Sequence, residues 1–236
     1  HRPERRNAIT VEMYAALADA IEAAAGDDSI RVITLEGAGE DFTAGNDLGD
    51  FLNALPQDGS DIPVWRLLRA LARNMVPLVV AVHGNAVGIG TTMLFHCDLV
   101  VAEEGSRFHM PFTNLGLVPE AASSLILPQL AGRRVAARHL LLGEPFGVEE
   151  AERYGLVSHR APAGQLAERL DAVVAALLAK PPDALRLTQR LLRGSSQDEA
   201  LERMELENGH FAERLRSDEV REAIAGFFAA RAVRRP

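Results

Sequence analysis

Hydrophobic and polar residues alternate along the first third of the chain with two different periods. Apolar residues lie three or four positions apart between residues 11 and 25, which predicts a helix, and Thr10 is suited to cap its N-terminus. Residues 30–35 are rich in β-branched side chains and predict a strand. A second helical stripe covers residues 64–74, and the uninterrupted apolar run Leu78–Val82 predicts a buried strand.

Shorter apolar runs at residues 98–102 and 107–108 predict two more strands, and from Pro119 onward the pattern is mostly helical. Helices are predicted over Val148–Tyr154 and over residues 166–179, 182–192 and 198–228. Helices that alternate with strands across short turns indicate an α/β fold in which helices cover at least one face of the sheet. Residues 56–63 are polar and rich in turn-forming residues, which predicts a mobile surface loop.

The composition of the chain limits the kinds of function that it can have. The chain has 236 residues, 47% of them hydrophobic, so it can bury a full core, and its net charge of −8 argues against a general nucleic-acid surface. No apolar run is long enough to span a membrane, and the spacing of Cys and His residues typical of metal sites is absent, so we expect no metal. The single cysteine, Cys97, excludes an internal disulfide.

The chain shows no signal peptide, which favours the cytosol. However, it begins His1-Arg2-Pro3, an unusual start, so an upstream targeting segment stays an alternative.

The most informative segment follows the strand Leu78–Val82. It contains the turn Gly84-Asn85-Ala86-Val87-Gly88-Ile89-Gly90 and then a helix-compatible segment. A glycine turn that opens a helix presents backbone N–H groups without intrahelical partners, and such groups stabilise negative charge. Because Gly88 and Gly90 carry no Cβ, the backbone can approach a ligand closely there. Most turns of this kind are only tight connections, so the turn by itself does not define a site.

Four motifs in this order resemble the crotonase family, the enoyl-CoA hydratase/isomerase superfamily, over nearly the whole chain. They are Arg2-Pro3-Glu4-Arg5-Arg6-Asn7-Ala8, then Phe42-Thr43-Ala44-Gly45-Asn46-Asp47-Leu48, then Val82 to Gly90 with Cys97-Asp98, and finally Gly143-Glu144 with Glu150-Ala151 and Gly155-Leu156-Val157. The resemblance implies a crotonase (ClpP-like) spiral of repeated β-β-α units with a C-terminal helical region. We place the spiral core at residues 1–175 and a helical region at residues 176–236, packed on the core or on a neighbouring subunit.

The same resemblance implies an acyl-CoA substrate, no separate cofactor because coenzyme A is part of the substrate, and a homotrimer or a hexamer. Two backbone N–H groups, those of Asn46 and Ile89, match the family's oxyanion hole for the thioester oxygen. Substrate-binding positions that match are Ala44, Gly45, Asp47, Gly88, Gly90, Phe112 and Leu117. An oxyanion hole suits this chemistry because removing a proton beside a thioester places negative charge on that oxygen.

The carboxylates select the reaction within the family. Hydratases use two glutamates to hold and split water, and the matching positions here are Thr92 and Phe112, neither of which can act as a base. The segment from Pro111 to Ser124 resembles the Δ3-Δ2-enoyl-CoA isomerase branch, whose catalytic base matches Glu120. One carboxyl group would take a proton from C2 and return it at C4.

Other interpretations of these residues stay open. Pro119-Glu120 is also a good helix start, with proline at the first position and an acid in the first turn, which would lower the glutamate pKa. Alternation of Glu and Arg over residues 202–216 predicts a solvated helix face. Asp47 is expected to orient its turn through local hydrogen bonds. Alternative functions are another crotonase activity, such as hydration or thioester hydrolysis, and binding of acyl-CoA without catalysis.

Overall fold

The computed structural model describes residues 1–53 and 62–233. The predicted loop at residues 56–63 lies largely outside this part of the chain. In chain order the elements are α1 (Val11–Ala25), β1 (Ile33–Glu36), α2 (Leu48–Asn53), α3 (Pro63–Arg73), β2 (Leu78–Val82), β3 (Asn85–Val87), α4 (Ile89–Thr92), β4 (Leu99–Glu103), β5 (Arg107–His109), α5 (Ser123–Ala131), α6 (Arg133–Leu141), β6 (Phe146–Gly147), α7 (Val148–Tyr154), β7 (His159–Ala161), α8 (Leu166–Leu178), α9 (Pro182–Leu215) and α10 (Asp218–Val233).

Two sheets organise the fold. The first has the strand order β1-β2-β4-β7 with all neighbours parallel, and the second has the order β3-β5-β6, in which β3 and β5 are parallel and β5 and β6 antiparallel. All five residues of β2 are buried because Val80 and Val82 face the main core while Val79 and Ala81 pack with α8 on the opposite face. Burial on both faces explains the uninterrupted apolar run seen in the sequence.

The predictions for the first half are largely confirmed. Helix α1 has the predicted bounds, and the Thr10 hydroxyl accepts a hydrogen bond from the Met13 N–H, as an N-cap should. The residues of α1 that are fully buried begin at Tyr14, one position after the start of the predicted stripe. The predicted stripe of α3 is buried, and β2 has its predicted bounds. The α/β class is therefore confirmed.

Some predicted bounds are wrong. The strand predicted at residues 30–35 begins only at Ile33, because the Ile30 N–H donates to Asp27 O in a turn. The helix predicted at residues 198–228 is broken after Leu215, and Ser217 caps the next helix by accepting from the Val220 N–H at 3.3 Å. The short strands β3, β6 and β7 were not predicted, because two or three residues are too few to show an alternating pattern, and β3 lies inside the segment predicted as a turn.

The long helix α9 packs against the core. Its residue Arg193 is mostly buried and donates hydrogen bonds to the Asp98 carboxylate at 3.0 Å and to the carbonyls of His96 and Leu71. At Gly194 the backbone leaves helical geometry and the helix kinks. The division of the chain at residue 175 stays a prediction. Among residues 1–53 and 62–233, no helix has the length and apolar character that crossing a membrane would require.

Candidate active site

The two glycine-containing loops that resemble an oxyanion hole lie side by side. The Thr43 N–H donates to Asn85 O at 3.0 Å, and the Val87 N–H donates back to Thr43 O at 3.0 Å. Gly45 follows with φ +86°, and a Cβ built on it would lie 2.6 Å from the Val87 oxygen. Only glycine fits this close approach, since any side chain at Gly45 would push the two loops apart.

Each of these loops presents a backbone N–H that makes no hydrogen bond within the described residues. In the first loop, the N–H groups on either side of Asn46 are hydrogen-bonded: the Gly45 N–H donates to Thr43 Oγ1 and the Asp47 N–H donates to Ile9 O. The Asn46 N–H between them has no such partner among the residues that the structure describes. Ile89 is the first residue of α4, so its N–H has no partner inside the helix. Two available donors on adjacent loops form an arrangement that can receive an anionic oxygen.

Glu120 is buried, with 3% of its surface exposed. Its Oε1 accepts a hydrogen bond from the Thr92 hydroxyl at 2.9 Å. The pKa of the Glu120 carboxyl is raised to about 7, chiefly by burial, while the Thr92 hydrogen bond lowers this pKa and the negative charge of Glu207 raises it. Thr92 is the last residue of the short helix α4 that Ile89 opens, so Glu120 contacts the same helix whose first N–H is available.

The peptide that follows Glu120 has an unusual conformation. Ala121 and Ala122 both adopt left-handed backbone angles, with φ of +57° and +55°, and α5 begins only at Ser123. The alternative in which Pro119 and Glu120 start a helix is therefore wrong, and the lowered pKa that it implied is not found. Each left-handed alanine costs about 1–2 kcal/mol. The turn persists because surrounding groups hold it, including His96, whose Nε2 lies 2.8 Å from Ala121 O.

Glu207 of α9 contacts the same turn. Its carboxylate accepts hydrogen bonds from the Ala122 N–H at 2.6 Å and from the Ser124 N–H at 3.0 Å. Glu207 is 6% exposed, so the prediction of a solvated face over residues 202–216 is wrong at this position. Burial raises its pKa, and the two hydrogen bonds act in the opposite direction. No local sequence signal identified Glu207, because its partners lie more than 80 residues away.

Tyr14 connects α1 to the first loop. It is almost completely buried, and its hydroxyl donates a hydrogen bond to the side-chain oxygen of Asn46. Burial raises the Tyr14 pKa, and the nearby charge of Glu120 raises it further. Tyr14 thus interacts electrostatically with Glu120. Its hydroxyl also fixes the side chain of Asn46, the residue whose backbone N–H is available. These contacts place Asn46, Ile89 and Glu120 in one region of the molecule.

The other predicted residues have varied environments. Phe112 and Leu117 are buried in the main core cluster, and their role in substrate binding stays a prediction. The Asp47 carboxylate accepts a hydrogen bond from Arg2 at 2.8 Å, which lowers its pKa, and it also accepts a hydrogen bond from the Asp50 N–H. Asp47 thus orders its turn, in agreement with the sequence expectation. The remaining predicted positions belong to the two segments themselves: Ala44 and Gly45 lie in the first loop, Gly88 precedes α4, and Gly90 is its second residue.

Comparison with known proteins identifies the family to which the chain belongs. Residues 1–234 match the sequence model of the family described as Enoyl-CoA hydratase/isomerase. A solved enoyl-CoA hydratase/isomerase from Pseudoalteromonas atlantica T6c is 41% identical, superposes with a TM-score of 0.92, and is aligned over 98% of this chain and 91% of that one. The crotonase fold inferred from the sequence motifs is therefore confirmed.

The names of similar proteins describe different activities. The 1,2-epoxyphenylacetyl-CoA isomerase of Escherichia coli is 32% identical over 98% of this chain and 90% of its own length. Human enoyl-CoA delta isomerase 2 is 32% identical over 97% of this chain and 59% of its own length. A protein of Thermus thermophilus named as a putative enoyl-CoA hydratase is 33% identical over 97% of this chain and 92% of its own length. At similar identity, these names include both isomerases and a hydratase, so they do not select one reaction.

Proposed function

Since the chain belongs to the enoyl-CoA hydratase/isomerase family, we propose that it is a Δ3-Δ2-enoyl-CoA isomerase with Glu120 as its catalytic base. The observation that carries the proposal is the buried carboxyl group of Glu120, whose pKa is raised to about 7 and which accepts a hydrogen bond from the last residue of the helix that Ile89 opens. A base with a pKa near neutrality can both accept and return a proton efficiently. Glu120 therefore has the properties that a proton shuttle needs.

The proposed reaction uses one group twice. Glu120 takes a proton from C2 of a 3-enoyl-CoA, the C2–H electron pair forms a C1=C2 bond, and the carbonyl π electrons move to the thioester oxygen to give a dienolate. When the C1=O bond re-forms, the C1=C2 electrons make the C2=C3 bond, and the electrons of the C3=C4 bond bind the proton that Glu120 returns at C4. In the intermediate, the thioester oxygen carries negative charge, which the N–H groups of Asn46 and Ile89 receive. Removing one such donor typically raises the barrier by about 2.7–4 kcal/mol. The product is the 2-enoyl-CoA isomer, and no oxidant or cofactor takes part.

The residues at the family's hydratase positions support isomerisation over hydration. Thr92 has no carboxylate, and its hydroxyl donates to Glu120 instead of activating water. Phe112 is buried and apolar, which helps to exclude water from the neighbourhood of the base. A dienolate intermediate is best protected where water is excluded. The side chains at the two positions thus favour one-carboxylate chemistry.

Paired assays test the proposal. Purified protein is incubated separately with a 3-enoyl-CoA and with a 2-enoyl-CoA, and products are identified by mass spectrometry. We expect the first substrate to give the 2-enoyl isomer and neither substrate to give a hydrated product. Accumulation of 3-hydroxyacyl-CoA or of free coenzyme A at a higher rate than isomerisation would contradict the proposal and favour hydration or thioester hydrolysis. Binding of both thioesters without turnover would indicate a non-catalytic acyl-CoA-binding protein.

We also propose that the chain assembles as a homotrimer or as a hexamer of paired trimers. Leucines at the end of α6 and in α9 are more than half exposed, and they include Leu141, Leu142, Leu191 and Leu192. Exposed apolar groups of this size favour burial between subunits. Light scattering after gel filtration measures the mass directly, and a monomeric mass would contradict the assembly. A cytosolic location stays a prediction from the sequence.

A further inference from the structure

The turn that carries Glu120 depends on a helix distant in the sequence. Glu207 of α9 binds the Ala122 N–H at 2.6 Å and the Ser124 N–H at 3.0 Å, one through each carboxylate oxygen. No other contact to those two N–H groups exists within the described residues. Because a carboxylate that bonds two N–H groups fixes the peptides between them, the backbone from Ala122 to Ser124 has one orientation relative to α9.

The hydrogen bonds that Glu207 accepts affect the position of Glu120, the proposed catalytic base. Glu120 lies two residues before the first bonded N–H, and the intervening Ala121 and Ala122 are held in left-handed conformations that alanine rarely adopts. Without Glu207 the turn would keep the Ser123 N–H bond to Glu120 O and the His96 contact with Ala121 O, and relaxation of the strained alanines toward ordinary backbone angles would move Glu120 relative to Thr92. Catalytic groups displaced by about 1 Å can lose on the order of a hundred-fold in rate.

We propose that Glu207 is a positioning residue for the isomerisation, which holds the turn of Glu120 in its working geometry and couples the catalytic base to helix α9. This inference rests on the function proposed above. Glu207 does not touch the substrate in this account. It acts through the backbone of the turn and through its negative charge, and the two effects can be separated by experiment.

The charge effect has a defined direction. The negative charge of Glu207 raises the Glu120 pKa, so removal of that charge should move the acidic limb of the pH–rate profile to lower pH. The other titratable groups near the pair are Tyr14 of α1 and Arg203 on the same helix as Glu207. His96, which contacts the turn, has its pKa lowered by burial to about 4 and is neutral throughout the assay range. None of these groups changes in the variants below.

Two variants separate the positioning from the charge. Glu207→Gln removes the charge and leaves only one oxygen to accept a hydrogen bond. We expect its limiting kcat to fall by about ten- to a hundred-fold with little change in KM, and its acidic limb to move to lower pH. Glu207→Asp keeps the charge on a shorter side chain, so its kcat should fall while its limb stays near that of the wild type. Glu202→Gln, an exposed position on the same helix, is the matched control and should match the wild type.

Hydrogen exchange gives a readout that needs no activity. The amides of Ala122 and Ser124 should exchange faster in Glu207→Gln than in the wild type, with no change in the core strand β2. A wild-type pH profile, kcat and exchange rate in Glu207→Gln would overturn this inference, as would an equal loss in Glu202→Gln. Absence of isomerisation in the wild type would instead refute the proposed function, and the exchange experiment would still decide whether Glu207 holds the turn.

Discussion

Replacing Thr92 with valine tests how the pKa of the catalytic base is set. The Thr92 hydroxyl donates to Glu120 Oε1 at 2.9 Å, and both residues are buried, so solvent does not weaken the bond. Valine has nearly the same shape and cannot donate. A hydrogen bond to a charged group contributes about 1.5–3 kcal/mol, and 1.36 kcal/mol corresponds to one pKa unit, so the Glu120 pKa of Thr92→Val should rise by about one to two units.

The consequence appears in the pH dependence of kcat/KM for 3-enoyl-CoA isomerisation. With a wild-type pKa of about 7, half of the enzyme holds the reactive carboxylate at pH 7. In the variant this fraction falls to about one-tenth to one-hundredth, so kcat/KM at pH 7 should drop about 5- to 50-fold. At pH 9, kcat/KM of the variant should lie within about two-fold of the wild-type value. A Glu120 pKa of about 8–9 leaves half or more of the variant with an ionised carboxylate at this pH.

Stopped-flow assays between pH 5.5 and 9.5 measure the two profiles, with Thr92→Ser as the control that retains a hydroxyl. A loss of activity that is equal at every pH, or a limb that moves to lower pH, would refute the reasoning about this hydrogen bond.

Three further predictions follow from buried groups of the site. Because burial raises the Glu120 pKa from 4.5 to about 7, the folded protein binds a proton that the unfolded chain releases in this range, and stability falls as the pH rises through it. Glu120→Gln should therefore raise the free energy of unfolding in urea by about 3 kcal/mol at pH 8 and by less at pH 5; an equal effect at both pH values would contradict this. Tyr14→Phe leaves the Asn46 side-chain oxygen without its donor and should cost about 1–3 kcal/mol of stability. It should also slow isomerisation without moving the acidic limb, since both side chains are uncharged at neutral pH, and a moved limb would count against this role. Gly45→Ala places a Cβ 2.6 Å from a backbone oxygen and should cost more than the about 1–2 kcal/mol expected for left-handed strain alone. Gly155→Ala has a similar φ and no neighbour within 4 Å, so it is the control, and equal losses would show that the close approach is not needed.

Local patterns in the sequence predicted the elements that carry the site. The apolar run of β2 predicted a buried strand because both faces of that strand are covered. Glycine spacing predicted one tight turn and the family resemblance added the loop at residues 42–48, and the structure brings them together through the bonds between Thr43, Asn85 and Val87. The role of Glu120 was predicted from the family resemblance of the surrounding motifs and not from the local sequence pattern. Taken alone, Pro119 and Glu120 indicated an ordinary helix start.

Contacts between distant residues were not predictable in the same way. Glu207 lies in a run of alternating acids and bases, and its burial depends on a turn more than 80 residues earlier. Tyr14 lies one position away from the apolar stripe that was used to predict α1, so its contact with Asn46 was missed. The break before α10 did have a signal, because Ser217 is followed by two acids and is suited to cap a helix.

The proposed mechanism requires one carboxyl group to carry a proton from C2 to C4, and an isotope experiment measures this transfer. A 3-enoyl-CoA that carries two deuterons at C2 is converted in a single turnover in ordinary water, and the product is analysed by NMR. Since Glu120 is buried and only 3% exposed, we expect part of the deuterium removed from C2 to appear at C4. A product whose C4 carries hydrogen only from the solvent would contradict transfer by a single shielded carboxyl group.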